Sequence, residues 1–141
     1  MMVLVDTPIW SLALRRRKEA LRARDQALES ELADLLQARC AYLIGPVRQE
    51  VLSGLREEAV FLRLRDLLRP FPEPALTPED YELAAEYSNR CRASGIAGSP
   101  TDFLICAVAA RRDWQIFTAD RDFGGYARHL PITLFRPRKS A

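Results

Sequence analysis

Met2-Val3-Leu4-Val5-Asp6-Thr7-Pro8-Ile9-Trp10 is the stretch that decides how the chain folds. Four consecutive apolar residues suit a strand covered on both faces, as parallel sheets require. The acid, hydroxyl and proline that follow end the strand and open a helix, with Thr7 in the capping position and Pro8 at the first helical position. Ile9, Trp10, Leu12, Ala13 and Leu14 make that helix apolar. A strand that passes directly into a helix is the unit of α/β layer folds.

Outward from this unit the alternation recurs. Leu28, Leu32, Leu35 and Leu36 repeat at helical spacing and predict a helix over residues 24–38. Cys40-Ala41-Tyr42-Leu43-Ile44 is a short apolar run that suits a buried strand. It ends at Gly45-Pro46, where a helix with Val47, Val51 and Leu55 opens. A further helix is expected over residues 57–68, on Val60, Leu64, Leu67 and Leu68. Residues 69–76 contain Pro70, Pro72 and Pro74 and are expected as a short strand or an extended connection. Thr77-Pro78-Glu79-Asp80 has the capping residue and first-turn acids of a helix start, and that helix should run to about residue 94. A helix over 100–112, a strand over 115–118, a short helix or turn over 122–128 and a strand over 132–135 complete the chain. The expected class is α/β, with a central, mostly parallel sheet.

The 141 residues are the size of one domain, and no linker or repeat divides them. The longest apolar run, residues 103–110, is too short to span a membrane, and the first run lacks the basic flank of a signal peptide. No membrane association and a cytoplasmic location are therefore expected. Cys40, Cys91 and Cys106 are odd in number and widely spaced, which argues against a zinc site or disulfide framework. The single histidine, His129, gives no basis for a His-rich metal site. The formal charge of +2 provides no global drive toward nucleic acid. Basic charge is local: Arg15, Arg16, Arg17 and Lys18 form a run that is either a solvated helix face or a phosphate contact.

Four acids stand at the punctuation points of this pattern. Asp6 ends the first strand, Glu50 lies in the second turn of the helix opened by Gly45-Pro46, Asp102 heads the most apolar helix, and Asp120 follows the strand at 115–118. Each has a local explanation. Ser99 and Asp102 fit a capping box, and Asp120-Arg121-Asp122 followed by Gly124-Gly125 fits a turn. With Thr7 taken as the cap, Asp6 is partly free for other work. Glu50 lies beside the stripe centred on Val47, and Gly54 one turn on leaves room for close backbone approach. In an open α/β sheet, however, strand ends and helix starts gather on one edge, where ligands bind. Carboxylates gathered there repel one another and call for a cation, and an all-oxygen donor set suits a hard ion such as Mg²⁺ or Mn²⁺. Such ions activate water and stabilise the leaving oxygen of a phosphodiester. No P-loop or dinucleotide fingerprint competes with this reading.

Asp6-Thr7-Pro8-Ile9-Trp10, Gln49-Glu50-Val51-Leu52-Ser53-Gly54, Thr101-Asp102-Phe103-Leu104-Ile105 and Thr118-Ala119-Asp120-Arg121-Asp122-Phe123 resemble, in order and spacing, the four motifs of PIN-domain ribonucleases of the VapC toxin type. The resemblance covers nearly the whole chain. It implies one PIN-like domain over 1–141, a Rossmann-like three-layer α/β/α sandwich, and Mg²⁺- or Mn²⁺-dependent endoribonuclease activity. Asp6, Glu50, Asp102 and Asp120 match the family's acidic positions, with Asp122 as an additional acid and Thr7 and Thr118 as supporting polar residues. The resemblance also implies an RNA substrate, a cognate antitoxin protein and a homodimer. The alternative is a non-catalytic RNA-binding or complex-forming module of the same fold.

Overall fold

Val3–Val5 forms strand β1, and all three of its residues are buried. Burial at successive positions, rather than alternate ones, means that both faces of the strand are covered. The computed structural model describes residues 1–14 and 22–138. Among these, β1 is followed by α1 (Thr7–Leu14), α2 (Ala23–Gln37), β2 (Ala41–Tyr42), α3 (Gly45–Leu52), α4 (Glu58–Leu68), α5 (Pro78–Ala93), α6 (Pro100–Arg112), β3 (Gln115–Phe117), α7 (Asp122–Ala127) and β4 (Thr133–Leu134). The strands lie in the order β2-β1-β3-β4, and every neighbouring pair is parallel. Helices cover the sheet to give a three-layer α/β/α sandwich. Among the described residues, no helix is long and apolar enough to cross a membrane.

The core is continuous from the sheet into α6. Phe103 through Ala109 are all buried, because α6 packs along α5 on one side and against β1 and β3 on another. The helix is apolar all round for that reason. Its first turn is fixed by Ser99, whose hydroxyl accepts from the Asp102 backbone N at 3.1 Å. Trp10 ties α1 back to the sheet by donating its indole N–H to the Val5 carbonyl at 3.0 Å.

Two local expectations are corrected, at Thr7 and Gly54, and one open choice is decided, at residues 69–76. Thr7 is not the cap of α1: the Asp6 carbonyl accepts from the Ile9 and Trp10 backbone N–H groups, which places Asp6 itself at the cap position. Residues 69–76 form the extended connection and not a strand, since their prolines remove the N–H groups a ladder needs. Gly54 lies beyond the end of α3 with φ +81°, and a Cβ there would meet nothing within 4 Å. It serves a left-handed turn, not a close approach. The run Arg15 to Lys18 lies outside the described residues.

Candidate metal centre

The chain visits β2 after β1 and then crosses to β3 on the other side of β1, so the order in which strands are added reverses between β1 and β3. A crevice opens outside the carboxyl ends of the strands at such a point. The ladder continues one step beyond β1, where the Asp6 backbone N donates to the Phe117 carbonyl at 2.9 Å. Asp6 and the segment Thr118-Ala119-Asp120 are thereby held side by side at the sheet's carboxyl edge.

Asp6 is only 4% exposed. Its Oδ1 accepts from the Thr7 backbone N at 2.8 Å, and its Oδ2 accepts from the Thr118 hydroxyl at 2.8 Å. Burial pushes its carboxyl pKa up to about 6; the Thr118 and Thr7 hydrogen bonds oppose this, and the charges of Asp102 and Asp120 add to it. Asp102, half-buried at the start of α6, is shifted upward too, first by burial and further by Asp120, against hydrogen bonds from Tyr126 and Ser99. The Tyr126 hydroxyl donates to Asp102 Oδ2 at 2.7 Å. The Cys106 thiol, one turn into α6, is pushed up by burial and by the charges of Asp102 and Asp6. These three acids therefore act on one another across the sheet edge.

The remaining candidates sit around this centre. Asp120 accepts from the Asp122 backbone N through Oδ1 at 2.9 Å, and its own N donates to the Thr118 hydroxyl at 2.9 Å. Asp122 opens α7 and is exposed. Glu50 is exposed as well, not buried beside the α3 stripe, and accepts from the Thr7 hydroxyl through Oε2 at 2.9 Å. Thr7 and Thr118 thus link the acids: Thr7 joins Asp6 to Glu50, and Thr118 joins Asp6 to Asp120.

In donor chemistry and charge these residues fit a hard divalent cation. All donors are oxygens, and burial with mutual repulsion drives two of the carboxyls toward binding positive charge. Among the described residues, none of Asp6, Asp102 and Asp120 makes an ion pair with Lys, Arg or His. Their partners are hydroxyl and amide donors. Each carboxylate has about four lone-pair sites, so acceptor capacity remains on all three. As they stand, however, no three Asp, Glu, His or Cys side chains among the described residues are grouped to hold a metal ion.

The profile of the PIN domain family matches residues 3–128, and the chain belongs to that family. Similar solved structures include FitAcB from Neisseria gonorrhoeae, 18% identical over 96% of this chain and 98% of that one, with a TM-score of 0.73. FitAB bound to an IR36 DNA fragment is 17% identical over 99% and 98%, with a TM-score of 0.74. VapBC2 from Rickettsia felis, bound to a DNA fragment from their promoter, is 15% identical over 96% and 98%, with a TM-score of 0.74. Likeness at these identities establishes the fold. No curated protein matches the chain.

Two features of the site were not legible in the sequence. Tyr126 reaches Asp102 from 24 residues away, and nothing in Phe123-Gly124-Gly125-Tyr126 announces a carboxylate partner. Arg24 and Arg121 line, with Thr118, Asp120 and Phe135, a cleft of about 300 Å³ beside the acids. Arg24 lies 96 residues before Asp120 in the chain, and the fold alone brings the two together.

Proposed function

We propose that this protein is a Mg²⁺- or Mn²⁺-dependent endoribonuclease that acts in the cytoplasm as the toxin of a toxin–antitoxin pair. The observation that carries the reading is Asp6: a buried carboxyl at the sheet's carboxyl edge, raised to about 6 by burial and by two further acids, with no cationic partner among the described residues. Such a group is costly unless it serves a ligand. Asp6, Asp102 and Asp120 would hold the ion, with Glu50 and Asp122 at the rim. A divalent ion supplies activated water and stabilises the leaving oxygen of the phosphodiester. Thr118 and Thr7 orient Asp6. Arg24 and Arg121 face the flanking phosphates of the RNA.

Family membership supports the nuclease part of this reading. FitAB and VapBC2, assemblies solved on DNA, support a partner protein. An apolar cleft of about 550 Å³, lined by Pro46, Tyr81, Ala84, Pro100 and Leu104, offers such a partner a surface beside the first turn of α6. Exposed Leu62 and Leu67 support pairing with a second copy.

The test is cleavage of RNA with Mg²⁺ or Mn²⁺, with EDTA, and with Asp102→Asn. Cleavage that needs the metal and falls about a thousandfold in the variant, equivalent to several kcal/mol of transition-state stabilisation, is expected. Full activity in EDTA or in the variant overturns the proposal. Among the described residues no three acids are grouped ready to hold an ion, which favours one alternative, a non-catalytic RNA-binding or complex-forming module. RNA binding indifferent to metal, with no RNA cleaved, would establish it.

A further inference from the structure

Tyr126 is fully buried, and its hydroxyl ends on the acidic centre. Its ring packs against Phe103, with centroids 5.0 Å apart, and against Phe123 at 5.1 Å. Gly98 admits the hydroxyl. A Cβ at that position would lie 2.2 Å from the Tyr126 oxygen and 3.0 Å from the Phe103 ring. Gly98 is not among the residues with positive φ, so its missing side chain serves this close approach and not a turn. A phenylalanine would satisfy the ring packing. The hydroxyl has a use only for the carboxylate it reaches, 2.7 Å away. The contact also braces α7, which follows Asp120, against α6, which carries Asp102.

We propose that Tyr126 is a positioning residue of the acidic centre: its hydroxyl, admitted by Gly98, holds the Asp102 carboxylate in the orientation that takes a divalent cation. The proposal rests on the metal-centre reading above. A donor to one oxygen fixes the carboxylate's side-chain rotamer and directs its free acceptor positions. Ser99 anchors the backbone of the same residue, so helix start and carboxylate are held by separate groups. Outer partners of this kind commonly change metal affinity or activity by about 10–100-fold when removed.

The experiment compares wild type, Tyr126→Phe and Gly98→Ala by calorimetric titration with Mn²⁺, by RNA cleavage as a function of Mn²⁺, and by thermal melting. Tyr126→Phe should fold, bind Mn²⁺ about tenfold more weakly, and need correspondingly more Mn²⁺ to cleave, recovering toward the wild-type rate at saturation. Gly98→Ala, which displaces the hydroxyl without altering Tyr126 or Asp102, should shift Mn²⁺ binding in the same direction. A folded Tyr126→Phe with wild-type Mn²⁺ affinity and metal dependence overturns the proposal alone. A wild-type protein that binds no Mn²⁺ overturns the metal-centre reading, and the proposal falls with it.

Discussion

The two ends of α6 meet buried acids and treat them in opposite ways. At the C-terminal end, Asp80 is fully buried, yet Arg111 Nη1 reaches it at 2.7 Å, Arg112 Nη1 at 2.8 Å and Arg112 Nη2 at 3.1 Å. Its Oδ2 also accepts from the Thr77 backbone N at 2.9 Å, completing a capping box at the start of α5. The Arg112 hydrogen bonds, helped by Thr77 and Arg111, hold this carboxyl well below the usual carboxylate range despite burial. At the N-terminal end, Asp102 and Asp6 have, among the described residues, hydroxyl and amide donors and the charge of neighbouring acids, and both carboxyls are raised. Asp6 is nearly as buried as Asp80, so burial does not distinguish these two acids; compensation does. A buried acid with its cations in place is structural, whereas an uncompensated one is a functional candidate.

The largest effect that tests this contrast is on catalysis. Asp6→Asn removes the buried charge and should lower metal-dependent RNA cleavage by about a thousandfold, measured in single-turnover assays. Asp80→Ala should leave the chemistry intact in whatever fraction remains folded. Retained cleavage in Asp6→Asn would break the contrast outright.

Stability should invert the order. Asp80→Ala strips two arginines and a cap of their partner. Because those arginines are partly exposed and turn to water, the cost should be about 2–4 kcal/mol, at the low end of buried-pair losses. Denaturant unfolding at neutral pH checks this. The depressed carboxyl also sets a pH window. Its stabilisation is present above the unfolded carboxyl value of about 3.9 and is lost as pH falls toward the lower folded value. Wild type should therefore lose stability faster than Asp80→Asn below about pH 4.

A smaller effect of opposite sign is expected at Asp6. Its folded value of about 6 lies above the unfolded value, so its ionisation costs nothing below about pH 4 and the full amount above pH 6. Asp6→Asn should thus be more stable than wild type at pH 7.5 by at most about 3 kcal/mol, less what the weakened Thr118 and Thr7 hydrogen bonds give back, with the gain gone by about pH 4. Added Mg²⁺ should raise the melting temperature of wild type and not of the variant, and EDTA should reverse the rise. The smallest expected effect is at the cleft. Arg24→Ala and Arg121→Ala should each raise KM for RNA by about three- to fivefold at low salt, with the difference shrinking as salt rises.

Much of the fold was legible because its signals are local. The apolar run and Asp6-Thr7-Pro8 place β1 and α1, and Ser99-Pro100 places α6 at Pro100–Arg112. The proline-rich connection was legible only as a pair of options. The capping role of Thr7 was misassigned because a hydroxyl after a strand suits a cap, while its hydroxyl meets Glu50, 43 residues away. The acids of the site were legible from their places at strand ends and helix starts. Tyr126, the service of Gly98 to it, and the arginine pair on Asp80 were not, because each depends on a contact between distant segments.

The order of strands and helices, and the gathering of acids at one edge, follow from the sequence by itself. They rest on the period of apolar residues and on capping chemistry, which act over a few neighbours. Which acids feel one another, and which buried acid is neutralised, only the tertiary structure decides. Coulomb forces and hydrogen bonds act through space, and the Thr118 hydroxyl reaches Asp6 across 112 residues of chain.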